Sequence, residues 1–356
     1  MNKKNICFLC GNLSRGGGTE RITSLIANEL SNNYNIYVID IMNKDKKCYY
    51  PFNEYINIIH INVYKKFSML RRIFDIFRIL YNNKIDIIIN VDIMLIMYSF
   101  LPAKAVHTKI ISWEQFNYYN NIGSKNTKII RQFCLKHTDY YVNLTKRDVQ
   151  VFKKNFKIRT PITYVYNPIN KINNSIYDLN SKLLITAGNF YKDKGYDMCL
   201  KIGEGVFSKY PDWKWILCGD GVEFENIKKQ ISLSKFNNNF IFAGRVKNID
   251  YYMQKAAIYV STSKSEGFGL VLIEAQNNNL PIVAFDVPFG PSEIIIENVN
   301  GYLIAPFDTD RMICKIVELI DNDELRKKFS EKSKIKFNDF NKENIVEKWK
   351  NIIENI

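Results

Sequence analysis

Two glutamates around a glycine-containing turn are the residues of this chain best suited to chemistry. Glu266 and Glu274 stand eight residues apart in the segment SKSEGFGLVLIEAQ (263–276). This spacing is about two helical turns, so both carboxylates would face one ligand if a helix follows the turn. The first amides of such a helix suit a diphosphate, and a carboxylate suits the hydroxyls of a ribose. The turn comprises Glu266, Gly267, Phe268 and Gly269, and the expected helix starts at Leu270. The alternative is two solvated glutamates beside an ordinary strand–helix turn.

Eleven short apolar runs, alternating with segments of helical period, predict the strands that position this turn. The runs of the first half are 5–10, 35–42, 85–91, 109–113, 140–144 and 162–166, and those of the second half are 182–187, 214–218, 239–242, 257–261 and 281–285. Such alternation is typical of βαβ units with parallel sheets covered on both faces.

The two sets of runs predict two Rossmann-like domains. Their expected bounds are 1–168 and 169–340, and a last helix, 341–356, is expected to return to the first domain. Ligands of open parallel sheets bind beyond the carboxyl ends of the strands, so a cleft between the two domains is the expected site.

The net charge of +14 is concentrated in the first half of the chain. Residues 1–170 contain 25 Lys and Arg against 11 Asp and Glu, whereas residues 171–356 contain 25 of each class. Such a field favours an anionic partner, which is a nucleic acid, an acidic lipid surface or a phosphate-bearing substrate. Zinc-ligand spacing and an RNP-like aromatic run are both missing from the sequence, so no nucleic-acid partner is expected.

One segment of the basic half, 64–81, predicts an amphipathic helix. Its apolar residues recur at three- and four-residue spacing and are Phe67, Leu70, Phe74, Phe77 and Tyr81. Its basic residues are Lys65, Lys66, Arg71, Arg72 and Arg78. One interpretation is an ordinary helix with a solvated basic face. The other is a surface that binds an anionic membrane or an acceptor substrate located there.

Cysteine usage and hydropathy indicate the compartment. The seven scattered cysteines are typical of reduced thiols, and Cys7 and Cys10 precede no helix start that would activate one. No run reaches the roughly 18 apolar residues of a membrane span, and the N-terminus lacks the hydrophobic core of a signal peptide. We therefore expect a cytoplasmic protein. The Asp-x-Asp spellings at 308–310 and 321–323 lie in polar stretches and are interpreted as solvated or capping residues rather than metal ligands.

Four further motifs accompany the glutamate turn. They are GGGTER (16–21), GNFYKDKG (188–195), GDG (219–221) and FAGRV (242–246). In this order, the set resembles a family 4 (group 1) retaining glycosyltransferase of the GT-B fold, of the bacterial surface-polysaccharide type. The resemblance implies an α/β protein with two Rossmann-like parallel-sheet domains that face each other across a deep cleft, the first on the acceptor side and the second binding the nucleotide sugar.

The resemblance also implies a role for each motif at the donor. Glu274 would hold the ribose, Glu266 and the turn amides would meet the sugar hydroxyls and the distal phosphate, and Lys194 would neutralise the departing diphosphate. No metal or other cofactor would be required. Two more loops would border the donor. Arg245 and Val246 would lie beside the base, and the loop of Gly16, Gly17 and Gly18 would face the phosphates.

Two positions depart from the family pattern. Asn189 stands where relatives usually carry arginine, so one of two cations expected at the diphosphate is missing. Gln115 stands where relatives often carry histidine, so a hydrogen bond to the donor hexose is kept without titration near neutral pH.

These observations predict an enzyme that transfers a hexose or N-acetylhexosamine from a nucleotide sugar, expected to be UDP-linked. The acceptor would be a hydroxyl of a growing surface glycan on a lipid diphosphate carrier, which places the protein peripherally at the inner face of the plasma membrane. The departures at Asn189 and Gln115 motivate an alternative, a non-catalytic nucleotide-sugar-binding subunit that activates a partner glycosyltransferase. A sugar epimerase or phosphorylase on the same scaffold is the third hypothesis.

Overall fold

The computed structural model describes residues 3–43, 46–61, 68–119, 125–170 and 176–356. The chain divides into two compact units. Unit 1 comprises Met1–Pro168 and Lys342–Ile356, and unit 2 comprises Ile169–Asn341.

Unit 1 is built on a parallel sheet of seven strands in the order β3-β2-β1-β4-β5-β6-β7. The strands are β1 (Asn5–Cys10), β2 (Asn35–Asp40), β3 (Asn57–His60), β4 (Ile87–Asn90), β5 (Lys109–Trp113), β6 (Tyr140–Asn143) and β7 (Ile162–Tyr164). The helices are α1 (Gly18–Leu30), α2 (Ser68–Asn82), α3 (Ile96–Ala105), α4 (Lys125–His137), α5 (Lys146–Asn155) and, from the end of the chain, α14 (Lys342–Glu354). The strand order reverses between β1 and β4, which creates a topological switch point there.

Unit 2 is built on a parallel sheet of six strands in the order β10-β9-β8-β11-β12-β13. The strands are β8 (Leu183–Ala187), β9 (Lys214–Cys218), β10 (Phe240–Gly244), β11 (Ile258–Ser261), β12 (Ile282–Phe285) and β13 (Gly301–Ile304). The helices are α6 (Cys199–Phe207), α7 (Phe224–Ser232), α8 (Ile249–Met253), α9 (Leu270–Asn277), α10 (Pro291–Ile294), α11 (Thr309–Asp321), α12 (Asp323–Lys332) and α13 (Phe337–Phe340).

All eleven strands that the apolar runs predict are confirmed, and two edge strands were missed. β3 and β13 lie at the outer edges of their sheets and are four residues long. An edge strand is paired on one side only, so a short one needs little apolar sequence, which explains the omission of β3 but not that of β13, whose residues are mostly buried. β3 accordingly carries exposed and half-buried residues rather than a buried run. In contrast, the central strands β4 and β11 are buried throughout, because helices cover both faces of each sheet.

The C-terminal helix α14 packs on unit 1. The ring of Trp349 contacts Trp113 edge to face, with 4.8 Å between the ring centroids, and both side chains are fully buried. Lys342 Nζ forms an ion pair with Glu29 at 2.7 Å. Aromatic burial of this size supplies the packing energy that attaches the helix, while the half-exposed ion pair adds little.

No helix in the described part of the chain has both the length and the apolarity that crossing a bilayer requires.

Candidate functional site

The loop that follows β8 brings Lys194 to the carboxyl edge of the unit 2 sheet. Gly195 ends this loop in the left-handed region, at φ 67°. A side chain at this position would overlap the carbonyl oxygen of Thr262, which lies in the loop that follows β11. The Lys264 N–H donates to the Asp193 carbonyl at 2.7 Å. The two loops therefore pack backbone against backbone, and only glycine permits this approach.

This packing places Lys194 against the first glutamate of the turn. Lys194 Nζ donates to Glu266 Oε1 at 2.8 Å, and it lies 3.9 Å from Asp193 Oδ2. The side chain of Glu266 is 8% exposed and that of Lys194 is 25% exposed. Burial acts to lower the pKa of Lys194, but the charge and hydrogen bond of Glu266 outweigh it, so the pKa of Lys194 is raised. The ammonium consequently stays charged at physiological pH, in a position that a ligand can still reach.

The glutamate turn ends at a helix start whose backbone shape depends on two glycines. Gly269 adopts φ 92° and directly precedes α9. Gly290, in the loop after β12, has φ 98°, and a side chain there would overlap the Phe268 carbonyl oxygen. The ring of Phe268 is buried against Phe340, with 5.8 Å between the ring centroids. Phe268 therefore anchors the turn in the core. Leu270 and Val271 open α9, where the first N–H groups of a helix lack acceptors in the preceding turn, and the binding of an anion there stays a prediction.

The second glutamate, Glu274, lies in the second turn of α9 and is 4% exposed. The buried phenol of Tyr259, on β11, donates to the Ala187 carbonyl at 3.1 Å. Burial raises the pKa of this phenol, the hydrogen bond that its oxygen accepts from the Ala187 N–H lowers it, and the charges of Glu266 and Glu274 raise it further. Both carboxylates thus lie near the Tyr259 hydroxyl, which is hydrogen-bonded to Ala187 at the carboxyl end of β8. Tyr259 was missed in the sequence because a tyrosine inside an apolar run is indistinguishable from core.

The remaining residues of unit 2 that the resemblance assigns to the donor lie at the same edge of the sheet. Asn189 is exposed in the loop after β8, and Arg245 is exposed directly after β10, beside the half-buried Val246. A side chain at Gly219, after β9, would overlap the Gly188 carbonyl. The carboxyl ends of parallel strands meet at one edge, so five loops converge there although they are far apart in sequence.

The glycine loop of unit 1, between β1 and α1, has a local packing role. A side chain at Gly16 would press on the ring of Tyr49, and one at Gly17 would meet the carboxylate of Glu20. Gly18 is the first residue of α1 and is exposed. The loop leaves the carboxyl end of β1, which is the edge where a ligand of unit 1 would lie.

Gln115 follows β5 and is 8% exposed, and its neighbour Glu114 is the centre of a buried network. Glu114 Oε2 accepts from Arg131 Nε at 2.8 Å and from the Tyr141 hydroxyl at 3.0 Å. The two remaining guanidinium nitrogens of Arg131 donate to the carbonyls of Asn117 and Tyr118. Sequence reasoning missed this network, because Arg131 lies 17 residues away on α4 and no spacing rule connects it to Glu114.

The helix predicted for 64–81 is α2, but it is oriented differently from the expectation. Arg71 and Arg78 are exposed, whereas Arg72 is 8% exposed and lies over the Tyr98 ring, 5.8 Å from its centroid. The expectation that Arg72 is part of an accessible basic surface is therefore wrong. Lys65, Lys66 and Phe67 of the predicted segment lie outside the described residues.

Besides Arg71 and Arg78, the exposed face of α2 carries large apolar residues. Leu70, Phe74 and Tyr81 are 67%, 59% and 66% exposed. Ile76 and Leu80 cover the core, in the same row as Arg72. This helix therefore has two apolar faces. Apolar residues recur at three- and four-residue spacing along the outer face as well as along the inner one.

Comparison with known proteins identifies relatives over the whole chain. Residues 170–336 match the family described as Glycosyl transferases group 1. The chain is 30% identical to an uncharacterized glycosyltransferase of Haemophilus influenzae, over 98% of this chain and 100% of that protein. It is 25% identical to the amylovoran biosynthesis glycosyltransferase AmsD of Erwinia amylovora, over 98% and 99% of the two chains.

Among solved structures, HepE of Anabaena, crystallised in complex with UDP, superposes with a TM-score of 0.83 at 15% identity. The alignment covers 99% of this chain and 100% of that one. The expected fold class, GT-B with two parallel-sheet α/β domains, is confirmed by the two sheets and by this likeness.

Proposed function

The chain belongs to the group 1 glycosyl transferases, and on this premise we propose that it is a retaining, metal-independent enzyme of family 4. It transfers a hexose or N-acetylhexosamine from a UDP-linked sugar nucleotide to a glycan hydroxyl. The observation that carries this proposal is the charged pair of Lys194 and Glu266 beside the first amides of α9. It unites a cation, a carboxylate and helix-end N–H groups at one edge of one sheet.

Each group in this arrangement matches one part of a sugar nucleotide. The amides at the start of α9 and the ammonium of Lys194 stabilise a diphosphate, and they do so more strongly as its negative charge grows on departure. When the diphosphate also pairs with the ammonium of Lys194, the carboxylate of Glu266 is able to accept hydrogen bonds from the sugar hydroxyls. The buried carboxylate of Glu274 accepts from the two hydroxyls of the ribose.

In this mechanism the acceptor attacks on the face from which UDP leaves, and a phosphate oxygen of the donor takes the acceptor proton. The configuration at the anomeric carbon is then retained without a covalent enzyme intermediate. The missing cation at Asn189 leaves Lys194 as the main neutralising side chain in this loop, which makes the reaction sensitive to that residue. The UDP in the HepE crystal structure supports the choice of nucleotide.

We further propose that the acceptor is a growing surface glycan on a lipid diphosphate carrier, reached from the inner face of the plasma membrane. The relative AmsD, whose name assigns it to amylovoran biosynthesis, supports a polysaccharide product. The exposed Leu70 and Phe74 of α2, flanked by Arg71 and Arg78, support contact with an anionic lipid surface.

The reaction is tested by incubating the protein with UDP-glucose, UDP-galactose, UDP-N-acetylglucosamine or UDP-N-acetylgalactosamine and a membrane extract that supplies lipid-linked glycans. We expect UDP release with one donor, unchanged by EDTA, and a product whose anomeric proton shows the configuration of the donor. Bound UDP without release from any donor would contradict the transfer reaction.

The non-catalytic alternative is not favoured, since the relatives that cover the whole chain are named as glycosyltransferases. Asn189→Arg separates the two hypotheses. A large gain from near-zero turnover would support the non-catalytic subunit, and measurable turnover by the unmodified chain would exclude it.

A further inference from the structure

A cavity lies at the amino edge of the unit 1 sheet, where β1, β2 and β3 begin. Its volume is about 560 Å³, and Asn35, Tyr37 and Asn57 are among the residues that line it. Pockets for small molecules have volumes of roughly 300–1,000 Å³, so this cavity is large enough for one. Strands of this length span about 17–20 Å, which places the cavity far from the carboxyl edge, where ligands of such sheets ordinarily bind.

Strand pairing places three of the lining side chains on one face of the sheet. Tyr37 of β2 pairs in register with Asn57, the first residue of β3. Asn35 begins β2 two residues before Tyr37, so it shares that face. Asn35 Nδ2 donates to Asn5 Oδ1 at 2.9 Å, which fixes the orientation of this amide. Asn35 and Asn57 are exposed, so a ligand in the cavity is able to reach both amides.

Tyr55 lines the same cavity from a turn that is anchored on both sides. The Ile56 N–H donates to the Asn53 carbonyl at 3.0 Å, and the side chain of Ile56 is buried. The Asn53 N–H donates to Asn28 Oδ1 of α1 at 2.8 Å. The side chain of Tyr55 is nevertheless 77% exposed. An exposed ring on an anchored turn offers a flat surface to a ligand at a small ordering cost.

The rest of the lining adds aromatic surface and little charge. Tyr37 is half-buried, because it packs on the core of unit 1. Tyr34 is buried, and its hydroxyl donates to Glu354 Oε1 at 2.7 Å. Among the described lining residues Lys3 is the single charged one, and its Nζ donates to the Asn32 carbonyl at 3.2 Å.

This combination of rings and amides suits a neutral pyranose. The C–H groups on one face of a pyranose are apolar and pack on an aromatic ring, while its hydroxyls donate and accept hydrogen bonds. An asparagine amide has one acceptor oxygen and two N–H donors, so it pairs with hydroxyls in either role. A phosphate or a diphosphate, in contrast, is recognised by several charged donors, and this cavity has one ammonium group.

We propose that the cavity binds a neutral hexose unit of a glycan, with Tyr55 as the stacking surface and Asn35 and Asn57 as the partners of its hydroxyls. The cavity and the carboxyl edge lie at opposite ends of the strands, so this site is not an acceptor subsite. It retains a glycan chain on the enzyme between transfers. That the retained glycan is the enzyme's own product rests on the proposed function.

The site is tested by binding rather than by turnover. Saturation-transfer NMR with cellotetraose, maltotetraose and chitotetraose measures glycan binding to the full chain, with and without saturating UDP. We expect at least one tetrasaccharide to bind, equally well in both conditions. Tyr55→Ala should weaken this binding about tenfold or more because the stacking surface is lost, whereas Tyr55→Trp keeps a ring and should bind like the wild type. The thermal shift caused by UDP should be the same for all three proteins.

Two further variants separate ligand binding from structure. Tyr251→Ala changes a tyrosine of α8 in unit 2 that is 53% exposed and does not line the cavity, so it should bind the tetrasaccharide normally. Asn57→Ala truncates an exposed amide and should keep the unfolding temperature of the wild type. Its tetrasaccharide binding should be about threefold weaker or worse, because hydrogen bonds to the hydroxyls are lost.

The outcomes distinguish this inference from the proposed reaction. Tetrasaccharide binding to Tyr55→Ala at wild-type strength would overturn the site, and so would failure of the wild type to bind any of the three. Displacement of the tetrasaccharide by UDP would also overturn it, and a UDP shift reduced in Tyr55→Ala would assign the cavity to a nucleotide instead. If a tetrasaccharide binds through Tyr55 but no UDP-sugar is turned over, the site stands and the proposed transfer reaction fails.

Discussion

The ammonium of Lys194 and the carboxylate of Glu266 form a 2.8 Å ion pair across two loops of unit 2, although 72 residues separate them in the chain. The pair keeps the lysine charged and in place before a ligand arrives. A diphosphate then shares a cation that is already oriented, which reduces the ordering cost of binding.

The first prediction concerns this lysine. Lys194→Ala should lower kcat by about a hundredfold with a smaller change in the donor KM, because the leaving charge develops mainly in the transition state. The measurement is steady-state UDP release. Lys192→Ala, an exposed lysine of the same turn, is the matched control and should retain wild-type kcat. A Lys194→Ala effect confined to KM would contradict the leaving-group role.

The second prediction concerns the ribose. Glu274→Gln should weaken UDP binding about tenfold, since hydrogen bonds to a charged carboxylate are replaced by neutral ones. Calorimetry with UDP and 2′-deoxy-UDP provides the check. The wild type should discriminate between the two nucleotides and the variant should discriminate less. Equal discrimination by both proteins would remove Glu274 from the ribose.

The third prediction concerns the backbone of the turn. Gly290→Ala should destabilise the protein by about 1–3 kcal/mol and weaken UDP binding, because φ 98° is strained for alanine and its methyl group overlaps the Phe268 carbonyl. Chemical denaturation measures the first effect and thermal shift with UDP the second. Gly11→Ala, which has open space around it, is the control. Wild-type stability of Gly290→Ala would show that the turn tolerates displacement.

The fourth prediction concerns the exposed face of α2. Replacing Leu70, Phe74 and Tyr81 by serine should sharply reduce binding to phosphatidylglycerol vesicles while leaving UDP binding unchanged, since these side chains are outside the core. Vesicle sedimentation at two salt concentrations is the assay. Leu233→Ser changes a leucine of unit 2 that is still more exposed, and this variant should bind vesicles like the wild type. Undiminished sedimentation of the triple variant would discard the membrane surface.

The fifth prediction concerns Asp148, whose pKa is raised to about 7 by burial and then by the charge of Glu114. The folded state therefore binds this proton more tightly than the unfolded state, and the stabilisation it provides is lost as pH rises from about 4 to about 7. Asp148→Asn removes this pH-dependent loss. The unfolding free energy of the variant, measured relative to that of the wild type, should therefore increase as pH rises from about 4 to about 7. Urea denaturation at several pH values measures the difference. A constant difference would contradict the raised pKa.

Much of the fold could be predicted from sequence, because buried parallel strands are apolar on both faces and so appear as continuous runs. The run 257–261 and the glycines after it predicted β11 and the helix start at Leu270, and both are present. The edge strand Asn57–His60 escaped, since it is paired on one side and needs no such run.

The residues of the candidate site could also be predicted only in part. Glu266, Glu274 and Lys194 were recognisable from local spacing and motif order, which are properties of short segments. The contact between Lys194 and Glu266, the burial of Arg72 against Tyr98 and the strained backbone of Asp92 beside the buried Asn90 could not be recognised in this way. These depend on which loops the parallel sheets bring together at their carboxyl edges, and on which face of a helix finds a neighbour. Such long-range packing leaves no pattern in the order of residues along the chain.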